Sequence, residues 1–228
     1  MAPTLIAPSS PLLREHRIVG CSTGYMRTER EDWEELVVQA AGVSGIAAEL
    51  SALSEPELPG LITYLRSDPM LPFRFISVHG PSKQRRLGER ELVELLTTLP
   101  GWVDAIVMHP DTIEEPAEYR PLGRRLAIEN MDRGKATGRD TEELAGLFEQ
   151  LPHAGLCFDI AHAKSVDSEL DVGEELLNRF ASRLRHVHVS SLDEDLHHVP
   201  LSDEDELRYA PLLAKCRDVP WILEAPES

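Results

Sequence analysis

A closed (β/α)8 barrel is the fold this sequence predicts, and three observations predict it. Short β-branched runs ending in polar residues alternate with segments of helical period. There are eight such runs, and they share one chain of 228 residues in which no linker marks a boundary. Eight strands with intervening helices in one compact unit fit a closed barrel better than an open doubly wound sheet. Residues 1–228 are therefore read as a single domain, with residues 1–16 as an N-terminal extension.

The eight runs are 17–23 (RIVGCST), 45–50 (GIAAEL), 74–79 (RFISVH), 104–109 (DAIVMH), 125–130 (RLAIEN), 155–160 (GLCFDI), 184–190 (LRHVHVS) and 220–225 (PWILEA). Between them, stretches such as 31–41, 89–99, 141–151 and 204–216 place apolar residues three and four apart, the spacing of helices that coat a sheet. Two parts look abbreviated against a full barrel of about 250 residues. About fifteen residues rich in Glu and Pro join the fourth run to the fifth, so the fourth helix should be short or irregular. The sequence stops directly after the eighth run, which leaves no C-terminal eighth helix. An uncovered parallel strand exposes apolar surface, so residues 5–13, or a partner subunit in a homo-oligomer, are expected to cover it.

No apolar run reaches the eighteen residues of a membrane span, and no charged-then-apolar leader opens the chain, which reads as a soluble cytoplasmic protein. Cys21, Cys157 and Cys216 form no CxxC pair, as expected of free thiols in a reducing compartment. The net charge of −17, from 23 basic and 40 acidic residues, argues against non-specific nucleic-acid binding.

Chemistry concentrates at the strand ends. His79, His109, Glu129, Asp159, His188 and Glu224 each sit near the C-terminal end of an otherwise apolar run. Any one of them alone reads as a hydrogen-bonded structural residue. Six at equivalent positions converge on the barrel face where such folds carry their active sites. Desolvated carboxylates there need partners, and a shared divalent cation satisfies them together. Asp159 and His162 add an Asp-x-x-His spacing at a strand exit. His186 and His188 share one face of their strand. His188 lies nearer the active end and is read as the ligand, with His186 a deeper, hydrogen-bonded residue. His197 and His198 are alternative outer ligands or a solvated loop, and His16 and His153 precede strands and fall at the opposite end. Basic residues on the bordering loops, Lys83, Arg85 and Arg86, then Arg133, Lys135 and Arg139, and also Lys164, are candidates to bind a substrate phosphate or else solvated charges; Lys83, Arg86, Arg133 and Lys164 are the ones selected as substrate-binding residues.

Taken in series, HGP from His79, HP at His109, IEN around Glu129, FDIAH ending at His162, HVHVS from His186 and ILEAP around Glu224 resemble the xylose isomerase-like TIM barrel superfamily. That group contains sugar and sugar-phosphate isomerases and epimerases and the endonuclease IV type of abasic-site endonuclease. The resemblance spans about residues 19–226. For an isomerase it implies one Mn- or Mg-type ion held by Glu129, Asp159, His188 and Glu224, with Glu129 and Glu224 as catalytic residues that exchange protons with opposite faces of a substrate carbon. For the endonuclease type it implies three zinc ions. His79, His109 and Glu129 match the first site, and Glu129 bridges to a second with Asp159, His188 and Glu224. His162 matches the third, with His197 or His198. The family's Asp-x-His before an Ile-Gly-x-Gly turn is replaced here by Asp195-Leu196-His197-His198 before Val199-Pro200-Leu201-Ser202. Spacing to the turn favours His198, and spacing to the aspartate favours His197.

The loop 81–86 lacks the apolar wedge residues that enter a DNA duplex, and the connections are short. The leading expectation is a metal-dependent isomerase or epimerase of a sugar or sugar phosphate. The alternative is a zinc phosphodiesterase acting on abasic DNA or another phosphate ester. A third is a metal-binding barrel without that chemistry, or an oxidase using iron at similar ligands.

Overall fold

The computed structural model describes residues 10–26 and 32–226. Its strands are β1 (Val19–Ser22), β2 (Ala47–Ser51), β3 (Phe75–His79), β4 (Ala105–Met108), β5 (Leu126–Glu129), β6 (Gly155–Asp159) and β7 (Leu184–Val189), a short antiparallel hairpin of β8 (Ser191–Leu192) and β9 (His198–Val199), and β10 (Trp221–Leu223). β1 to β7 and β10 pair in parallel and close, with β10 hydrogen-bonded to both β7 and β1. All eight predicted runs thus become barrel strands. The hairpin was not anticipated.

The helices are α1 (Pro11–Glu15), α2 (Trp33–Val43), α3 (Leu58–Arg66), α4 (Glu89–Thr97), α5 (Thr141–Gln150), α6 (Ile160–Val166), α7 (Asp171–Phe180) and α8 (Asp203–Leu213). Local chemistry fixes their starts. Asp32, Asp140 and Ser202 accept backbone N–H groups from the first turns of α2, α5 and α8, which satisfies donors that have no intrahelical partner. Each then turns one apolar stripe inward: Leu92, Val93 and Leu96 of α4, for example, are buried, while Glu89 and Glu91 occupy its dipole-favoured first turn. The fourth crossover is indeed irregular, a run of 3-10 turns over Pro116–Arg125 broken at Gly123, whose φ is 57°. Among the described residues none after β10 is helical, and no helix is long and apolar enough to cross a membrane. The three cysteines are free and buried.

Residues 10–16 lie over the last strand. Ser10 caps α1, the Leu12 N–H donates to Glu206 of α8 at 2.8 Å, Leu13 is buried, and His16 stacks on Trp221 with ring centroids 3.8 Å apart. The expectation of cover for β10 therefore holds for this stretch; residues 5–9 lie outside the described ones.

Inside the barrel, alternation along each strand selects what points inward. Ala105, Val107, Ala127 and Cys157 pack with Phe75 as a small apolar floor. Two residues on, the same faces deliver His109, Glu129 and Asp159. At Gly20 the chains of β1 and β2 approach so closely that a Cβ would stand 2.4 Å from the Ala47 carbonyl oxygen, which only glycine tolerates.

Candidate metal centre

The polar positions read from the sequence meet at the C-terminal end of the barrel. Register does this: Asp159 on β6 pairs with His188 on β7, and His188 pairs with Ile222, two residues before Glu224. Glu129 lies at the centre. Its Oε2 faces His79 Nε2 at 3.3 Å and His109 Nε2 at 3.2 Å. Its Oε1 faces His188 Nδ1 at 3.0 Å and His162 Nδ1 at 3.5 Å.

The first triangle tests the fit of an ion. His79 Nε2 and His109 Nε2 are themselves 3.2 Å apart. A tetrahedral ion with bonds of about 2.0 Å needs ligand atoms about 3.3 Å from one another. The three observed edges match that spacing. Tautomers agree with it, because the His79 Nδ1–H donates to the Gly80 carbonyl at 2.8 Å and leaves the Nε2 lone pair facing Glu129. In the same way His162 Nδ1–H donates to the Asn130 carbonyl at 2.9 Å, which leaves its Nε2 bare. Behind His109 stands Asp111, 3.8 Å from Nδ1 and paired to Lys135 at 2.9 Å.

A second group joins Glu129, Asp159, His188 and Glu224, and a third joins Asp159, His162 and His198; within each, one donor atom per residue lies within 4.8 Å of the others. His188 Nδ1 is 3.3 Å from Glu224 Oε1. Asp159 is held twice. Its backbone N–H and C=O pair with the Asn130 side chain, each at 2.8 Å, and its Oδ1 caps α6 by accepting the His162 N–H at 2.6 Å. That leaves Oδ2 buried with no hydrogen-bond partner, as are Glu224 Oε2 and His109 Nδ1. Unpaired buried polar atoms cost about 1–3 kcal/mol each, more when charged. Orphaned atoms clustered on bare imidazoles fit a cation, and the donor set of five imidazoles with three carboxylates suits zinc.

The structure also separates the two loop histidines. His198, on β9, directs Nδ1 to Ser190 Oγ at 2.7 Å and Glu224 Oε2 at 3.4 Å, and burial lowers its pKa to about 4. His197 is 76 % exposed and turns to Asp193. Burial opposes charge on Glu129, yet the surrounding imidazoles, His188 foremost, hold its carboxyl well below the usual range. Glu224 is the reverse. Burial, only partly countered by His188 and reinforced by Asp159 and Glu129, pushes it well above.

With this geometry in hand, comparison with known proteins is direct. Residues 113–226 match the family model described as xylose isomerase-like TIM barrel. The chain belongs to that family. Similar solved structures from the fold include endonuclease IV from Thermus thermophilus (21 % identity, 93 % of each chain, TM-score 0.58) and D-psicose 3-epimerase from Clostridium cellulolyticum (14 %, 92 % of this chain and 85 % of the other, 0.55). A 3-keto-D-glucoside 4-epimerase from E. coli is a third (14 %, 92 % of each chain, 0.55). No curated protein matches by sequence. This xylose isomerase-like barrel therefore has both nuclease and epimerase neighbours, at identities that speak to fold alone.

The basic residues behave differently from the cluster. Lys83 and Arg86 are exposed on the loop after β3, with Arg86 contributing a backbone N–H to Glu55. Arg133 donates to the Glu194 carbonyl, and the Lys164 ammonium lies against the buried Asp205 carboxylate. Arg85 reaches the Thr112 carbonyl and Arg139 pairs with Glu143.

Reading from sequence overlooked Glu49. Fully buried on β2, its Oε2 accepts from Ser77 Oγ at 2.8 Å and lies 3.2 Å from His188 Nε2. A signal existed: Glu49 is the one charge in GIAAEL and next-to-last in its run, as Glu129 is in RLAIEN. His186 is as deep as expected, but neither ring nitrogen has a hydrogen bond. Its Nε2 stands 3.4 Å from Glu49 outside bonding geometry.

Proposed function

We propose that this chain is a metal-dependent hydrolase of a compact phosphate ester, using zinc-type ions held by His79, His109, Glu129, Asp159, His162, His188, His198 and Glu224. One observation carries the reading: both oxygens of Glu129 are committed, Oε2 to the imidazoles of His79 and His109 and Oε1 to that of His188. A carboxylate so flanked suits a bridge between neighbouring ions better than a base free to abstract a proton. When bound, such ions neutralise charge developing on a phosphoryl group and activate water.

The chain's own residues supply the rest. Asn130 fixes the end of β6, so that Asp159 and His162 face the site together. Lys83 and Arg86, on an exposed loop at this end of the barrel, are placed by the reading as contacts for an ester's non-bridging oxygens. A net charge of −17 and a loop 81–86 without apolar wedges favour a small substrate over duplex DNA.

A second reading, an isomerase or epimerase of a sugar or sugar phosphate, is favoured by the group Glu129, Asp159, His188 and Glu224, which gathers a complete four-residue set without the other histidines. In it one Mn or Mg ion suffices and the two glutamates move the proton. One preparation separates the readings. Elemental analysis is expected to give more than one zinc per chain, with turnover of bis-p-nitrophenyl phosphate lost on chelation. One ion per chain, no ester hydrolysis and solvent deuterium entering a keto sugar would replace the hydrolase by the epimerase.

A further inference from the structure

An imidazole offers Nδ1 to a cation only while its proton sits on Nε2, so the group that accepts the Nε2 proton selects the ligand form. His79 and His162 have the opposite tautomer selected, their Nδ1–H donating to the main-chain carbonyls of Gly80 and Asn130 and leaving Nε2 free. His188 has no such carbonyl. Its Nδ1 faces Glu129 and Glu224, and its Nε2 faces Glu49 Oε2 at 3.2 Å.

We propose that Glu49, one layer below the metal centre, is a positioning residue: it accepts the His188 Nε2 proton, fixes the ring's tautomer and plane, and thereby presents Nδ1 to the ion. Glu49 stands one register step deeper than the ligands, since it pairs with Ser77, whereas Ser51 pairs with His79. Ser77 Oγ, donating to the same oxygen at 2.8 Å, holds the carboxylate in place. His186 Nε2, 3.4 Å away, adds a third polar contact from β7. Two neighbouring strands, β3 and β7, thus converge on one buried oxygen of β2. The opposite oxygen, Oε1, has no hydrogen-bond partner, so the carboxylate's orientation is set by its Ser77 and imidazole side.

This inference rests on the metal reading, not on the ester chemistry. Zinc affinity of the full chain is measured by competition with a chromophoric chelator in wild type, E49Q and E49A, with folding checked by circular dichroism. E49Q keeps an acceptor oxygen but loses the charge, and about a 10-fold weaker affinity is expected; E49A leaves Nε2 without an acceptor and should approach 100-fold. Nitrogen-15 spectra of the wild-type zinc form should show His188 protonated at Nε2, a readout that general loosening of the barrel does not produce. Wild-type affinity in both variants overturns the proposal, as does a His188 proton on Nδ1. If neither variant folds, the wild-type spectrum decides alone. Zinc binding without esterase activity removes the hydrolase reading and leaves Glu49's role standing, while a wild-type chain that binds no zinc ends both.

Discussion

The two ends of the barrel treat polar side chains differently. At the N-terminal end three half-buried side chains find their partners in the chain. Arg125 donates to the carbonyls of Leu99 and Pro100, Arg183 to those of Pro152 and Ala154, and His16 lies between the Val219 carbonyl and the Trp221 ring. At the C-terminal end Asp159, Glu224 and His109 keep buried atoms that the chain leaves unanswered. The first arrangement closes a structure. The second leaves bonding capacity for something that is not protein.

If that division is sound, substitutions at the two ends should fail in different ways. The largest effect is expected from Trp221→Ala, which removes a fully packed ring at the closed end and should cost about 3–5 kcal/mol of stability. A thermal melt should record this while zinc affinity, measured on the folded protein, stays at the wild-type value; a large affinity loss would erase the distinction. Next comes Glu129→Ala. Zinc at about a hundred times its dissociation constant should stabilise the wild type by about 2.7 kcal/mol, raising the melting temperature by several degrees, and should leave this variant unmoved. An equal zinc-induced shift in both would remove Glu129 from the centre.

A smaller effect divides the basic residues. On the hydrolase reading, Lys83→Ala or Arg86→Ala should raise KM for a phosphate ester about 10-fold with kcat nearly constant, the loss of one hydrogen bond to a charged group. Lys164→Ala should instead lower stability, because its ammonium is taken by Asp205. A KM effect confined to Lys164 would reverse these assignments.

The smallest effect is the pH response of His16. Burial lowers its pKa from 6.5, the Val219 carbonyl only partly opposing and Arg217 adding to the depression. The folded protein therefore binds this proton less readily than the unfolded chain. The ring's contribution is complete above pH 6.5 and declines as pH falls from there through the lowered folded value. Melting temperatures of wild type and His16→Phe between about pH 7.5 and 5 should draw together on acidification, and a constant gap would count against the stacked, neutral ring.

What the sequence made legible follows the same division. The barrel could be read because alternation of apolar runs and helical spacing is a local property, written eight times over. Donor residues at strand ends could be read because a charge in LAIE or CFD contradicts its neighbours. Glu49 contradicts its neighbours equally, but it stands one layer lower, and layer depth depends on the register between β2 and β3, which no local pattern carries. His197 and His198 could not be separated because the β8–β9 hairpin, not spacing, turns one inward. Lys164 was open for a comparable reason: Asp205, which takes its charge, is forty-one residues away.

His79 and His162 are oriented by peptide carbonyls, which no substitution of another side chain removes, whereas His188 relies on a carboxylate encoded by a single codon. If Glu49 acts as proposed, substitution there retunes how tightly the centre grips an ion without altering any residue in contact with it. One histidine in each of the first and third groups is thus held by the backbone itself, and His188 of the second is not.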